Sequence, residues 1–176
     1  MYKKLILTIA SISLLSLILT ACSSSSSKEK ESERNISVED FSKEFSKRIK
    51  GSNSEIFKKN IGDLEKNKDG YKIVLDAEGN SILFMDVDKN KNITNASLAT
   101  ATKSIDAYNS ELHIAYNWLI QTADPSLDLK ETTNLIKKLK IPNNITLDAT
   151  TNVQQYNDIT YTYYVNDDAV IFEVKY

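Results

Sequence analysis

Apolar positions along the chain change period several times, and each change predicts a change of element. Phe41, Phe45 and Ile49 recur at intervals of four, with Lys43, Glu44, Lys47 and Arg48 between them. Residues four apart share one face of a helix, so this spacing predicts an amphipathic helix ending near Gly51. Ser37 is placed to cap it, Asp40 follows three residues on, and Ile36 can staple to Phe41. The apolar stripe is narrow and the polar face carries both signs of charge, which suits packing on a core better than lying on a membrane. The pattern then shortens to strand-like runs. Tyr71–Asp76 and Ile82–Val87 are rich in Ile, Val, Leu and Phe, and Ala77-Glu78-Gly79-Asn80 is the turn between them. Flanking strands are expected at Ile61–Glu65, before the Lys68-Asp69-Gly70 turn, and at Ile93–Leu98, after an Asp88–Asn92 turn.

The helical period returns with Ile105, Tyr108, Leu112, Ala115 and Leu119. Ile114 and Trp118 widen this stripe, so the helix is expected at the centre of the fold, closed by Thr122–Asp124 ahead of Pro125. Asp128 and Glu131 form a capping box for a second helix, whose buried face is Leu135, Ile136 and Leu139 and which Pro142 stops. The C-terminus alternates. Ile159, Tyr161, Tyr163 and Val165 fall on one side, and Thr160, Thr162 and Tyr164 on the other. Past the Asn166-Asp167-Asp168 turn, Val170, Phe172, Val174 and Tyr176 alternate with Ala169, Ile171, Glu173 and Lys175, so a hairpin with one buried face is expected. Ala149–Tyr156 supplies a further strand. Consecutive strands joined by tight turns are antiparallel. Runs of strands separated from runs of helices indicate an α+β fold: an antiparallel sheet with helices on one face, in two helix-then-meander halves. At that level the plan resembles the tandem repeats of β-lactamase-inhibitor-like proteins, a likeness of fold that carries no function.

The N-terminus has a different pattern. Lys3 and Lys4 precede an apolar run from Leu5 to Ala21, which reads as an export signal and is somewhat short for a membrane span. The run closes on Leu19-Thr20-Ala21-Cys22, and Cys22 is the sole cysteine. This box resembles that of bacterial lipoproteins. The resemblance implies a diacylglycerol group on the Cys22 thiol, cleavage just before it, and anchoring at the extracytoplasmic face of the cell membrane by acyl chains. Ser23–Asn35 holds no apolar residue that could join a core and is expected to be a spacer. The expected organisation is therefore a signal at 1–21, a lipidated linker at 22–35, and one domain at 36–176. Ala123-Asp124-Pro125-Ser126-Leu127 also resembles a segment of small Gram-positive lipoproteins of unknown function.

Cleavage before Cys22 removes two lysines and no acid, taking the formal charge from −2 to −4. That balance argues against nucleic acid or an anionic lipid surface as the main partner. No second cysteine exists for a disulfide, so an ordinary core must supply the stability.

The chemistry-bearing residues are few. His113, the one histidine, has neither Asp106 nor Glu111 at a spacing of three or four, and reads as a helix-surface residue. With one histidine and no hydrolase or phosphate-loop motif, neither an enzyme nor a cofactor is expected. Asp86, Asp88, Asn90 and Asn92 match the first, third, fifth and seventh positions of a calcium loop. However, Lys91 stands where that loop needs Gly and Ser97 where it needs Glu, so a polar hairpin turn is the preferred reading. The density of tyrosine between Tyr156 and Tyr176 has two readings: one set is core and the other ordinary sheet surface, or the outward set is an aromatic recognition face for a protein or glycan. Tyr164, with Thr160 and Thr162, is expected on the outward face as a partner-binding surface. The expected function is a non-enzymatic protein-binding module of inhibitor, immunity or exclusion type. The alternatives are a wall-acting enzyme using carboxylates and a structural envelope lipoprotein.

Overall fold

Ser37 starts the fold as its position in the sequence requires. Its Oγ accepts the Asp40 N–H at 3.1 Å, and helix α1 runs Val38–Gly51 with Val38, Phe41, Phe45 and Ile49 buried. The structure is a computed structural model and describes residues 35–176, which form one compact unit. The expected signal segment, Cys22 and the expected spacer up to residue 34 lie outside the described residues.

A short helix, α2 (Phe57–Asn60), then precedes strand β1 (Glu65–Asn67). The strand expected at Ile61–Glu65 is thus displaced toward the turn. The cause is tertiary: Glu111, on a distant helix, collects the N–H groups of Glu55 (2.9 Å) and Phe57 (3.4 Å) and holds the chain in a helical turn. Strands β2 (Gly70–Val74), β3 (Ser81–Val87) and β4 (Ile93–Ala101) complete the first meander. At Gly70 a Cβ would collide with the Met85 carbonyl, so only glycine allows this turn to approach β3. Helix α3 (Ile105–Ala123) and helix α4 (Leu129–Lys138) follow, the latter opened by the Asp128–Glu131 capping box. Strands β5 (Thr150–Tyr156), β6 (Ile159–Val165) and β7 (Ala169–Lys175) form the second meander.

The seven strands form one antiparallel sheet in the order β1-β2-β3-β4-β7-β6-β5. The two meanders join where β4 pairs β7, from Asn95 opposite Lys175 to Ala101 opposite Ala169. This junction corrects the expectation of a C-terminal hairpin with one buried face. As a central strand, β7 buries Ile171 on one side as well as Phe172 on the other.

The helices pack on one face of the sheet. Leu83, Leu98, Phe172 and Tyr163 stand in one cross-strand row, and all are buried in the same core as Leu112, Ala115 and Leu119 of α3. The Tyr116 ring of α3 lies 4.9 Å from Phe172 and 6.4 Å from Tyr163. Arg48 joins α1 to α3 by donating to Gln121 Oε1 at 3.0 Å, with its guanidinium 5.5 Å from the centre of the Trp118 ring.

Candidate binding face of the sheet

Side chains alternate across a strand, so the face opposite the helices is fixed once the core face is known. On β6, Ile159, Tyr161, Tyr163 and Val165 are buried, while Thr160, Thr162 and Tyr164 are half-buried on the other side. The division expected along this strand is the one observed.

The strand register assembles this second face into three rows. The first is apolar: Val74, Ile82, Ala99, Ile171 and Tyr164 lie side by side, ending at Thr151. Ile82, Ala99 and Ile171 stand apart from the core under the helices, yet all three are buried, while Val74 and Tyr164 are half-buried. The second row is mixed: Lys72, Phe84, Ser97, Glu173, Thr162 and Val153. The third is polar: Asp86, Asn95, Lys175, Thr160 and Gln155. The face therefore grades from apolar to charged along the strand direction. Only the β6 part of it is legible in the sequence. The contributions of β2, β3 and β4 appear only once β4 is known to pair with β7.

Local chemistry follows this gradient. Tyr164 is pushed up to about 12 by burial and then by the negative charge of Glu173. Its phenol is thus a neutral donor and acceptor at any physiological pH. Asn95 Nδ2 donates toward Asp86 Oδ2 at 3.2 Å, Ser97 Oγ at 3.2 Å and Glu173 Oε1 at 3.0 Å, which sets two carboxylates beside one amide.

The residues of the calcium reading are engaged in hydrogen bonds of the hairpin itself. Asp86 lies on β3 and bonds Asn95. Asp88 closes its own turn: its Oδ1 accepts the N–H groups of Asn90 and Asn92, each at 2.8 Å, and Asn92 Nδ2 reaches its Oδ2 at 3.1 Å. The Asn92 N–H above all holds the Asp88 carboxyl below the usual carboxylate range. Lys91 adopts a positive φ of 65°, and its carbonyl accepts the Val38 N–H at 3.0 Å. The segment thus behaves as a hairpin turn that clasps the start of α1.

His113 is half-buried and not merely a surface residue. Its Nε2 donates to the Pro142 carbonyl at 3.0 Å. One turn earlier Asn109 accepts the Ile145 N–H at 3.0 Å, so α3 holds the chain that leads to β5.

Three buried carboxylates that sequence reasoning missed do similar work. Glu111 collects the loop before α2, including the Ser54 hydroxyl. Asp76 accepts the Ser81 N–H at 2.7 Å and the Tyr108 hydroxyl at 3.0 Å, fixing the β2–β3 turn to α3. Asp124 binds the Ser126 hydroxyl at 2.6 Å and the Asn157 amide at 2.8 Å, which ties the α3–α4 loop to the β5–β6 turn. A signal for Glu111 existed: it sits three residues after Tyr108 and four before Ala115, on the apolar stripe.

The fold defines the class, an α+β domain on a seven-stranded antiparallel sheet. No family model, curated protein or solved structure matches this chain. Among the described residues, no helix is long and apolar enough to cross a membrane.

Proposed function

We propose that this chain is a lipid-anchored, non-enzymatic module that binds another protein through the sheet face opposite its helices. The observation that carries this reading is Tyr164, half-buried with Thr160 and Thr162 on that face, at the end of the row Val74, Ile82, Ala99 and Ile171. A sheet face meant only for water alternates core residues with polar ones. Here the positions opposite the helices on three central strands are Ile82, Ala99 and Ile171, all three buried, so the part of this row open to a partner is at Tyr164. The polar and charged rows beside it give a rim, and Tyr164 stands at the border with its hydroxyl neutral. A polar rim and an aromatic anchor are parts of a protein interface. Lipid on Cys22 would hold the module at the outer surface of the cell membrane, where inhibitor, immunity or exclusion roles need it.

Two measurements test the parts separately. Cys22→Ser should abolish lipid labelling and cleavage before residue 22; normal labelling in that variant would disprove the anchor. For the face, Tyr164→Ala should weaken capture of the membrane partner by at least about 1 kcal/mol, the scale of an interface hot spot. If Tyr164→Ala, Thr160→Ala and Thr162→Ala all capture as well as wild type, the face is not the binding surface. Release of wall fragments by the purified chain would favour an enzyme instead, with Asp86 and Glu173 its first candidates.

A further inference from the structure

The two edges of the sheet are built differently. The edge at β1 is three residues long, carries Glu65 and Lys66, and is followed by Lys68. A short, lysine-bearing edge is how a sheet resists pairing with another chain. The edge at β5 has none of these defences. Its seven residues, Thr-Thr-Asn-Val-Gln-Gln-Tyr, include no charge and no proline, and its register with β6 runs without a bulge. At its middle stands Val153, 53 % exposed and one of the few large apolar side chains left open to solvent.

The β5–β6 turn shows which backbone groups face outward. Asn157 and Asp158 have φ of 51° and 62°, the two left-handed positions of a type I′ hairpin. Such a two-residue loop makes Tyr156 and Ile159 its hydrogen-bonded closing pair. Alternate residues Gln154, Asn152 and Thr150 then also bond β6. Gln155, Val153 and Thr151 are left with N–H and C=O aimed at the open edge, and the side chains of all three are exposed.

We propose that β5 pairs with β5 of a second copy of this chain, antiparallel, about a two-fold axis at Val153. In that register Thr151 faces Gln155 of the second copy and Val153 faces itself. Each of these pairs closes two backbone hydrogen bonds, so every open group between Thr151 and Gln155 is used. Asn152 then stands against Gln154 of the second copy, and no charge meets its like. The edge is complementary to itself, which is what an isologous two-fold contact requires. The pairing would join the two sheets into one and carry the second face across the junction through Val153, Thr151 and Gln155. This inference stands apart from the protein-binding reading, since the edge can pair whether or not the face binds anything.

The test uses the full chain in membranes under mild oxidation. Residues opposed in a hydrogen-bonded antiparallel pair lie about 5.5 Å apart at Cα, within the range a disulfide spans. Val153→Cys should therefore cross-link to a product of twice the chain mass. Wild type, whose one thiol is Cys22, and Lys66→Cys, on the opposite edge, should not give that product. In detergent, Val153→Lys and Val153→Glu should each sediment as monomers with unchanged circular dichroism, while an equal mixture should recover the dimer mass through a Lys–Glu pair at the axis. Cross-linking of Val153→Cys no greater than that of Lys66→Cys would overturn the proposal. So would a dimer that survives Val153→Lys, or a product of any other mass, which would mean that a different protein adds the strand.

Discussion

Strand β6 has two sides that differ by one residue in register and by almost everything in environment. Tyr163 is fully buried, its ring against Tyr116 of α3 and its neighbours Phe172 and Leu98 in the same row. Tyr164, the next residue, lies on the other face, half-buried beside Ile171 and within the field of Glu173. The same side chain serves as core on one face and as a candidate anchor on the other. The amino acid alone does not determine its role; what stacks above each face does.

Predictions follow from that contrast, in falling order of effect. Tyr163→Ala should destabilise the domain by about 3–5 kcal/mol, the range for deleting a large buried aromatic. Leu112→Ala, under the same roof, should cost about 2–5 kcal/mol. Chemical denaturation measures both, and a change under about 0.5 kcal/mol in either would mean that the helix side is not the core.

A pH effect comes next. Burial pushes Tyr163 up to about 12, burial and then Glu173 push Tyr164 to about 12, and burial takes Tyr116 well above its ordinary 10.0. The folded chain keeps these protons when the unfolded chain loses them, so the stabilisation is complete below about pH 10 and falls as pH rises toward 12. Denaturation midpoints across that window should decline, and Tyr163→Phe should flatten the decline. A flat profile in wild type would contradict the burial assigned to these rings.

The smallest effects are the sharpest tests. Within the described residues the hydroxyls of Tyr116 and Tyr163 are buried without a hydrogen-bond partner. A buried polar group with no partner costs stability, so Tyr163→Phe at neutral pH should leave the domain as stable or more stable. Tyr164→Ala should lower the stability by no more than about 1 kcal/mol, since its ring lies outside the core. A larger loss at Tyr164 would show that the second face is itself structural, and would weaken its reading as a binding surface.

Much of this fold is legible in the linear pattern. The spacing of Phe41, Phe45 and Ile49 fixes α1 and its buried side, and Ser37 fixes its start. The Asp128–Glu131 box marks α4, and alternation along β6 divides the tyrosines correctly. These features are local: a helix stripe, a cap and a strand's alternation are each set by residues within a turn or two of one another. The short helix at Phe57 was not legible, because the carboxylate that organises it comes from Glu111. Nor were the roles of Asp76 and Asp124, whose partners Tyr108 and Asn157 lie 32 and 33 residues away in the chain.

Linear pattern alone gives α1, α3, α4 and most of the strands, the caps at Ser37 and Asp128, the inward side of β6, and the box at Leu19–Cys22 that resembles a lipidation signal. The pairing of β4 with β7 is not written in any local pattern and emerges from the assembled sheet. That one pairing makes β7 a central strand, aligns Val74, Ile82, Ala99 and Ile171 with Tyr164, and leaves β1 and β5 as the two edges. The reason is physical. Local patterns arise from backbone geometry repeated every two or every 3.6 residues. The order of strands in a sheet arises from which apolar faces can be buried together at the least cost in chain entropy, and that choice is made by the whole chain at once.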